Sequence, residues 1–113
     1  MSGSILSRIA SQDLSSAALD VDLTFENSGR LLTVYVTSSV ALTEEITITF
    51  KSKDGSNYNT VLADRILDTE SDYVYTASGM VALNISDSIN VSCTNANGVG
   101  TVYVTVKMET DYH

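Results

Sequence analysis

The stretch Leu19-Asp20-Val21-Asp22-Leu23-Thr24-Phe25 alternates apolar and polar side chains without a break. Successive side chains of an extended chain point to opposite faces, so Leu19, Val21, Leu23 and Phe25 share one face and Asp20, Asp22 and Thr24 the other. That is the pattern of a β-strand with one face in a core and one in water. Asn27-Ser28-Gly29 then interrupts the period with residues that tolerate turn dihedrals.

The same period recurs downstream. Leu32, Val34 and Val36 interleave with Thr33, Tyr35 and Thr37, and Ile46, Ile48 and Phe50 with Thr47 and Thr49. Both runs are rich in β-branched residues, which suit a pleated surface. Asp54-Gly55 reads as a tight turn needing positive φ at the glycine, followed by a strand from Tyr58 to Leu62. Ala63 to Asp72 lacks a clean period and reads as a longer acidic loop, with a short strand Tyr73 to Thr76 behind it. Ser78-Gly79 is a further turn, Met80 to Ile85 a strand, and Ser86-Asp87-Ser88 its end. Ile89, Val91 and Cys93 form one face of the next strand; Val102, Val104, Val106 and Met108 form that of the last.

Seven or eight strands separated by turn signals, with no long amphipathic helix between them, predict an all-β antiparallel sandwich and argue against a parallel α/β sheet. Residues 1–17 differ in texture: serine is frequent, and Ile5, Leu6, Ile9 and Leu14 are loosely spaced in a way compatible with a short helix. They read as an N-terminal arm that folds over the domain's end or reaches a neighbour, leaving residues 18–113 as the sandwich domain. On this reading, deleting the arm leaves the β domain folded.

The chain carries 14 acidic and 6 basic residues, a net charge of −8. That balance repels phosphate backbones and anionic lipid, so neither nucleic acid nor a membrane surface is an expected partner. No window of 18 apolar residues exists, and Met1 to Ala10 has no continuous apolar run, so neither a spanning helix nor a signal peptide is expected. Asn84-Ile85-Ser86 and Asn90-Val91-Ser92 fit the N-glycosylation pattern, which strands rich in Ser, Thr and Asn produce by composition alone.

Parts for catalysis are missing. The single histidine is His113, at the chain end, and the single cysteine is Cys93, on the inward face of its strand. No fixed imidazole can serve a nucleophile, no disulfide can form within the chain, and no phosphate-binding glycine loop joins a strand to a helix. The chain therefore reads as a non-enzyme without a cofactor.

Two groups merit a binding reading beside a structural one. Asp68, Glu70 and Asp72 could offer oxygens to calcium, although a solvated acidic loop is the simpler account. Tyr73 and Tyr75 point the same way on a strand and could form a sugar-stacking face; a place at the core edge or at a subunit interface is the simpler account. The chain also lacks proline, so its edge strands are shielded by charge or by pairing in an oligomer. Ile5, Leu6, Ile9, Leu14, Tyr73 and Tyr75 are the expected interface residues.

The stretch Val81-Ala82-Leu83-Asn84-Ile85-Ser86-Asp87-Ser88-Ile89-Asn90-Val91, followed by Asn95-Ala96-Asn97-Gly98-Val99-Gly100 and the strand Val102 to Val106, resembles the last strands of small jelly-roll virion proteins. The group meant is the loose one of tailed-phage head decoration, auxiliary and fibre-associated β-sandwich proteins. Its turn runs leucine, two or three residues, then Gly-Asp-Ser-Ile, and tumour-necrosis-factor-like and other jelly-roll domains share it. Ser86 stands where that pattern has glycine. The resemblance covers the C-terminal third and implies a jelly-roll structural protein made in a host cytoplasm and carried in a virion. It also implies symmetric assembly, often as trimers, on a capsid or tail protein. The competing expectation is a small module that binds carbohydrate or calcium through Tyr73, Tyr75 and the Asp68 to Asp72 segment.

Overall fold

A computed structural model describes residues 4–77 and 81–111. The expected turn at Ser78-Gly79, the start of a strand at Met80, and His113 lie outside the described residues.

Strands dominate. They are β1 (Ile5–Asp13), β2 (Leu19–Thr24), β3 (Gly29–Leu42), β4 (Glu45–Lys51), β5 (Thr60–Ile66), β6 (Glu70–Thr76), the two-residue β7 (Ala82–Leu83), β8 (Ser88–Cys93) and β9 (Thr101–Thr110). A 3-10 turn, Ser56–Tyr58, follows Gly55, whose φ of 126° is the positive value the sequence called for.

The pairing reveals how the chain is wound. β4 pairs antiparallel with β5, β3 with β6, β2 with β8 and β1 with β9, so the chain is one long antiparallel ribbon doubled back at the β4–β5 connection. Rolling that ribbon up adds the pairs β3·β9 and β4·β8 and yields two sheets. Sheet A has the order β1-β9-β3-β6, with β7 paired to β3; sheet B has the order β2-β8-β4-β5. Eight long strands in two such sheets are a jelly roll.

Side chains from the inner faces of both sheets meet between them, as the period of two requires. Phe25, Leu31, Ile46, Ile89, Val104 and Met108 are each at most 1% exposed. Cys93 is 1% exposed, in the apolar row the alternation gave it. Phe50, Leu62 and Ala63 pack at the periphery of the same cluster.

Three expectations are corrected. First, residues 5–13 form neither a helix nor an arm: β1 pairs with β9 along its whole length, and Leu14 behind it is 0% exposed, its amide bonded to the Gly100 carbonyl at 2.9 Å. The ladder with β9 satisfies backbone groups that a helix would have satisfied internally, and β1's alternation is blurred because Ile5 and Ile9 are apolar residues at outward positions. Second, Ala63 to Asp72 is no long loop. Ala63–Ile66 completes β5, Glu70 begins β6, and only Leu67–Thr69 turns between them. Leu67 is 1% exposed and plugs the end of the core. Third, the inward row of β3 begins at Leu31 and not at Leu32. A register shift between Leu31 and Thr33 changes the parity, so that Leu31 and Val34, three apart, both face inward.

Two loops are held by buried carboxylates. Asp87, 2% exposed, accepts the Asn84 amide at 2.7 Å and the Lys53 amide at 2.9 Å, tying the β7–β8 turn to the β4–β5 connection. Ser86, the residue in place of the jelly-roll glycine, has φ of 78°, so the turn keeps the left-handed geometry that glycine favours. Glu44, 3% exposed, accepts the Asn97 amide at 2.8 Å, the Ala96 amide at 3.0 Å and the Thr94 hydroxyl at 2.7 Å. It is the staple for the β8–β9 loop. Among the described residues no buried side-chain nitrogen or oxygen lacks a partner.

Candidate functional site

The pairing register places each outward side chain on a grid. On the outer face of sheet A, Ile9 of β1 lies beside Thr105 of β9, Thr105 beside Tyr35 of β3, and Tyr35 beside Val74 of β6. This row crosses the whole sheet. Ile9 is 77%, Tyr35 41% and Val74 52% exposed. One row away, Tyr103, at 50%, lies between Ser11 and Thr37. A depression of about 530 Å³ lined by Ile9, Ala10, Ser11, Tyr103, Val104 and Thr105 opens on the β1–β9 side of this row.

Serine and threonine surround the row. Charge is sparse and nearly balanced: Arg30 pairs with Glu109 at 2.9 Å, Asp13 and Asp72 stand near the margins, and the Lys107 ammonium sits 5.4 Å from the centre of the Tyr35 ring. A cation over a ring face is attracted by its quadrupole, so Lys107 covers Tyr35 without being buried.

The outer face of sheet B is of a different kind. Asp20 and Asp22 of β2, Glu45 of β4 and Asp64 of β5 share it with Asn90, Ser92, Thr47 and Thr49. Asn90, 8% exposed, donates from Nδ2 to Asp20 Oδ1 at 2.7 Å and Asp22 Oδ1 at 2.8 Å. That amide, with Lys51 behind it, holds the Asp22 carboxyl below the usual carboxylate range. Glu45 is pushed up by the neighbouring Asp64 carboxylate, with which it shares a hydrogen bond. Apolar exposure on this face is confined to Val61 and Ile66 on its edge strand.

The acidic segment does not converge. Glu70 takes both oxygens to Arg65, at 2.8 and 3.1 Å, and accepts the Asp68 amide at 3.2 Å; these contacts hold its pKa down, the amide most. Asp72 accepts the Thr37 hydroxyl at 2.6 Å on the sheet A face. Glu70 and Asp72 are thus turned to different partners, and among the described residues no three acidic, histidine or cysteine side chains are grouped to hold a metal.

The expected interface residues divide. Ile5 and Ile9 are outward and exposed, at 61% and 77%. Leu6 is half-buried against the core, and Leu14 is wholly internal, so neither offers a contact surface. Tyr73 and Tyr75 do face the same way, but inward: both are half-buried at the sandwich edge, Arg65 lies 5.7 Å from the Tyr73 ring centre, and burial raises the Tyr73 pKa. They form a core edge and not a flat sugar-stacking platform.

No protein family, curated protein or solved structure matches this chain. The site is therefore read from its own geometry. Tyr35, Val74 and Tyr103 were not singled out from the sequence, although their signal is there: each is a large apolar or aromatic residue at a position whose neighbours on both sides point into the core.

Proposed function

We propose that this chain is a non-enzymatic structural protein of a larger particle, a virion component that self-associates and attaches to a capsid or tail protein. The observation that carries the reading is the unlike character of the two outer faces. Sheet A presents a row of Ile9, Tyr35 and Val74, interrupted by Thr105 and set in Ser and Thr, as contact surfaces do; sheet B presents carboxylates and amides, as solvent faces do. The jelly-roll winding agrees with the resemblance of the C-terminal strands to small virion proteins. Binding of calcium or sugar has less support, since Glu70 is occupied by Arg65 and Tyr73 and Tyr75 face the core edge.

The test is physical association. Particles released by cells that make this protein are to be banded on a density gradient and their polypeptides identified by mass spectrometry. The chain is expected in the particle band at a fixed ratio to the major shell or tail protein. A chain found only in the soluble fraction, or turnover of a substrate by the purified protein, refutes the proposal.

A further inference from the structure

We infer that the outer face of sheet A is the self-association surface, and that its occupant is a second copy of this chain packed sheet to sheet. The inference rests on the structural reading above and supplies its contact.

Four arguments converge. The row Ile9–Thr105–Tyr35–Val74 runs from one edge of the sheet to the other, through the middle of its four strands. A two-fold axis passing through that row lays it against itself. With the axis along the strands, Ile9 meets Val74 of the second copy; with the axis across them, Ile9 meets Ile9. Either way the apolar ends of the row meet apolar partners, while Thr105 meets Tyr35 or itself, a self-match of the kind an isologous contact needs.

Size is the second argument. Four strands about 4.8 Å apart, over nine residues rising about 3.3 Å each, give a face of roughly 550 Å², or about 1,100 Å² for two copies, above the ~1,000 Å² expected of a specific interface. Charge is the third. On a chain of net charge −8, this face carries Arg30 and Lys107 against Asp13, Asp72 and Glu109, whereas sheet B carries Lys51 against Asp20, Asp22, Glu45 and Asp64. Two copies meeting through sheet A keep their acidic faces on opposite outer sides, where repulsion is least.

Composition is the fourth. Two tyrosines are among the exposed aromatics here, and Tyr joins large contact area to low conformational entropy, which is why it is enriched where proteins meet. The Lys107 ammonium is attracted to the face of the Tyr35 ring and can keep that contact beneath a second sheet.

The experiment is sedimentation equilibrium of the full chain from low to high micromolar concentration, with circular dichroism on every sample. Wild type is expected to fit a monomer–dimer equilibrium. Tyr35→Glu places carboxylates against each other near the axis and is expected to weaken the dimer at least about a hundredfold. The double variant Ile9→Thr, Tyr35→Thr keeps β-branched side chains suited to the strands and is expected to weaken it at least about tenfold with an unchanged spectrum. Thr47→Glu on sheet B is expected to leave the equilibrium unchanged. A wild type that stays monomeric throughout, or an oligomer of any order that survives the double variant, overturns the inference.

The two proposals fail separately. A monomeric chain that still bands with particles refutes self-association and its surface but leaves the particle role standing; a dimer sensitive to Tyr35 but absent from particles refutes the virion role alone.

Discussion

Asn97 is bound to the segment 53 residues before it through two contacts: its amide donates to Glu44 Oε2 at 2.8 Å and its Nδ2 to the Thr43 carbonyl at 2.9 Å. The β8–β9 loop is thereby fastened to the start of β4. Without this, the loop would be a polar excursion at the end of the core.

Glu44 should therefore be visible in the pH dependence of stability. Burial pushes its carboxyl up, but the Asn97 amide, the Thr94 hydroxyl and the Ala96 amide together outweigh burial and leave it below its ordinary 4.5. A carboxyl depressed in the folded state stabilises above its unfolded pKa, and the contribution fades as pH falls through the folded value. Glu44→Gln, which sets an NH₂ against a backbone amide, is expected to cost about 2 kcal/mol at pH 7. In urea titrations the gap between wild type and variant should close from about pH 4.5 downward. A gap that is the same at pH 7 and pH 3 refutes the assignment.

Ser86 gives the opposite sign. Its φ of 78° costs a non-glycine residue about 1 kcal/mol, part of which glycine returns to the flexibility of the unfolded chain. Ser86→Gly should raise stability by about 0.5 kcal/mol, read as a higher urea midpoint with unchanged slope. A lower midpoint would mean that the serine side chain has a role beyond the turn.

Cys93 should be silent in the native protein. Burial, and to a lesser degree the Glu44 carboxylate, push its thiol up to about 11. Mixed with a disulfide reagent at pH 8, the native chain is expected to react only as fast as it opens, whereas chain unfolded in urea reacts at once. Immediate stoichiometric reaction of folded protein would place the sulfur at the surface.

The first seventeen residues should prove indispensable. Their removal strips β9 of its outer neighbour and takes Leu14 from the core, so the truncated chain is expected to lose its cooperative melting transition. Leu14→Ala alone should cost about 3 kcal/mol. A truncated chain with the full β spectrum and a sharp transition would show that β1 is dispensable.

Legibility in the sequence followed burial on one face. β2, β4, β8 and β9 each bury one face, so their alternation is clean and their inward rows could be named from spacing alone. β1 and β5 are edge strands with Ile5, Ile9, Val61 and Ile66 exposed, and an exposed apolar residue at an outward position erases the period. That is why the first became an arm and part of the second a loop. The bulge in β3 hid Leu31 for a related reason, since one extra residue reverses the parity. The contact face was harder still. It consists of outward residues from four strands, and which strands lie side by side depends on how the ribbon is rolled, a relation no local spacing records.

The winding also sets the order in which the protein can be finished as it leaves the ribosome. Residues 5–13 have their partners in residues 101–110, which leave the ribosome long after them. The sandwich cannot close until residues 101–110 have been threaded out, so the nascent polypeptide carries β1 and β2 unpaired while the strands between them and their partners are made. Pausing between β2 and β9 should expose it to aggregation more than pausing before β1.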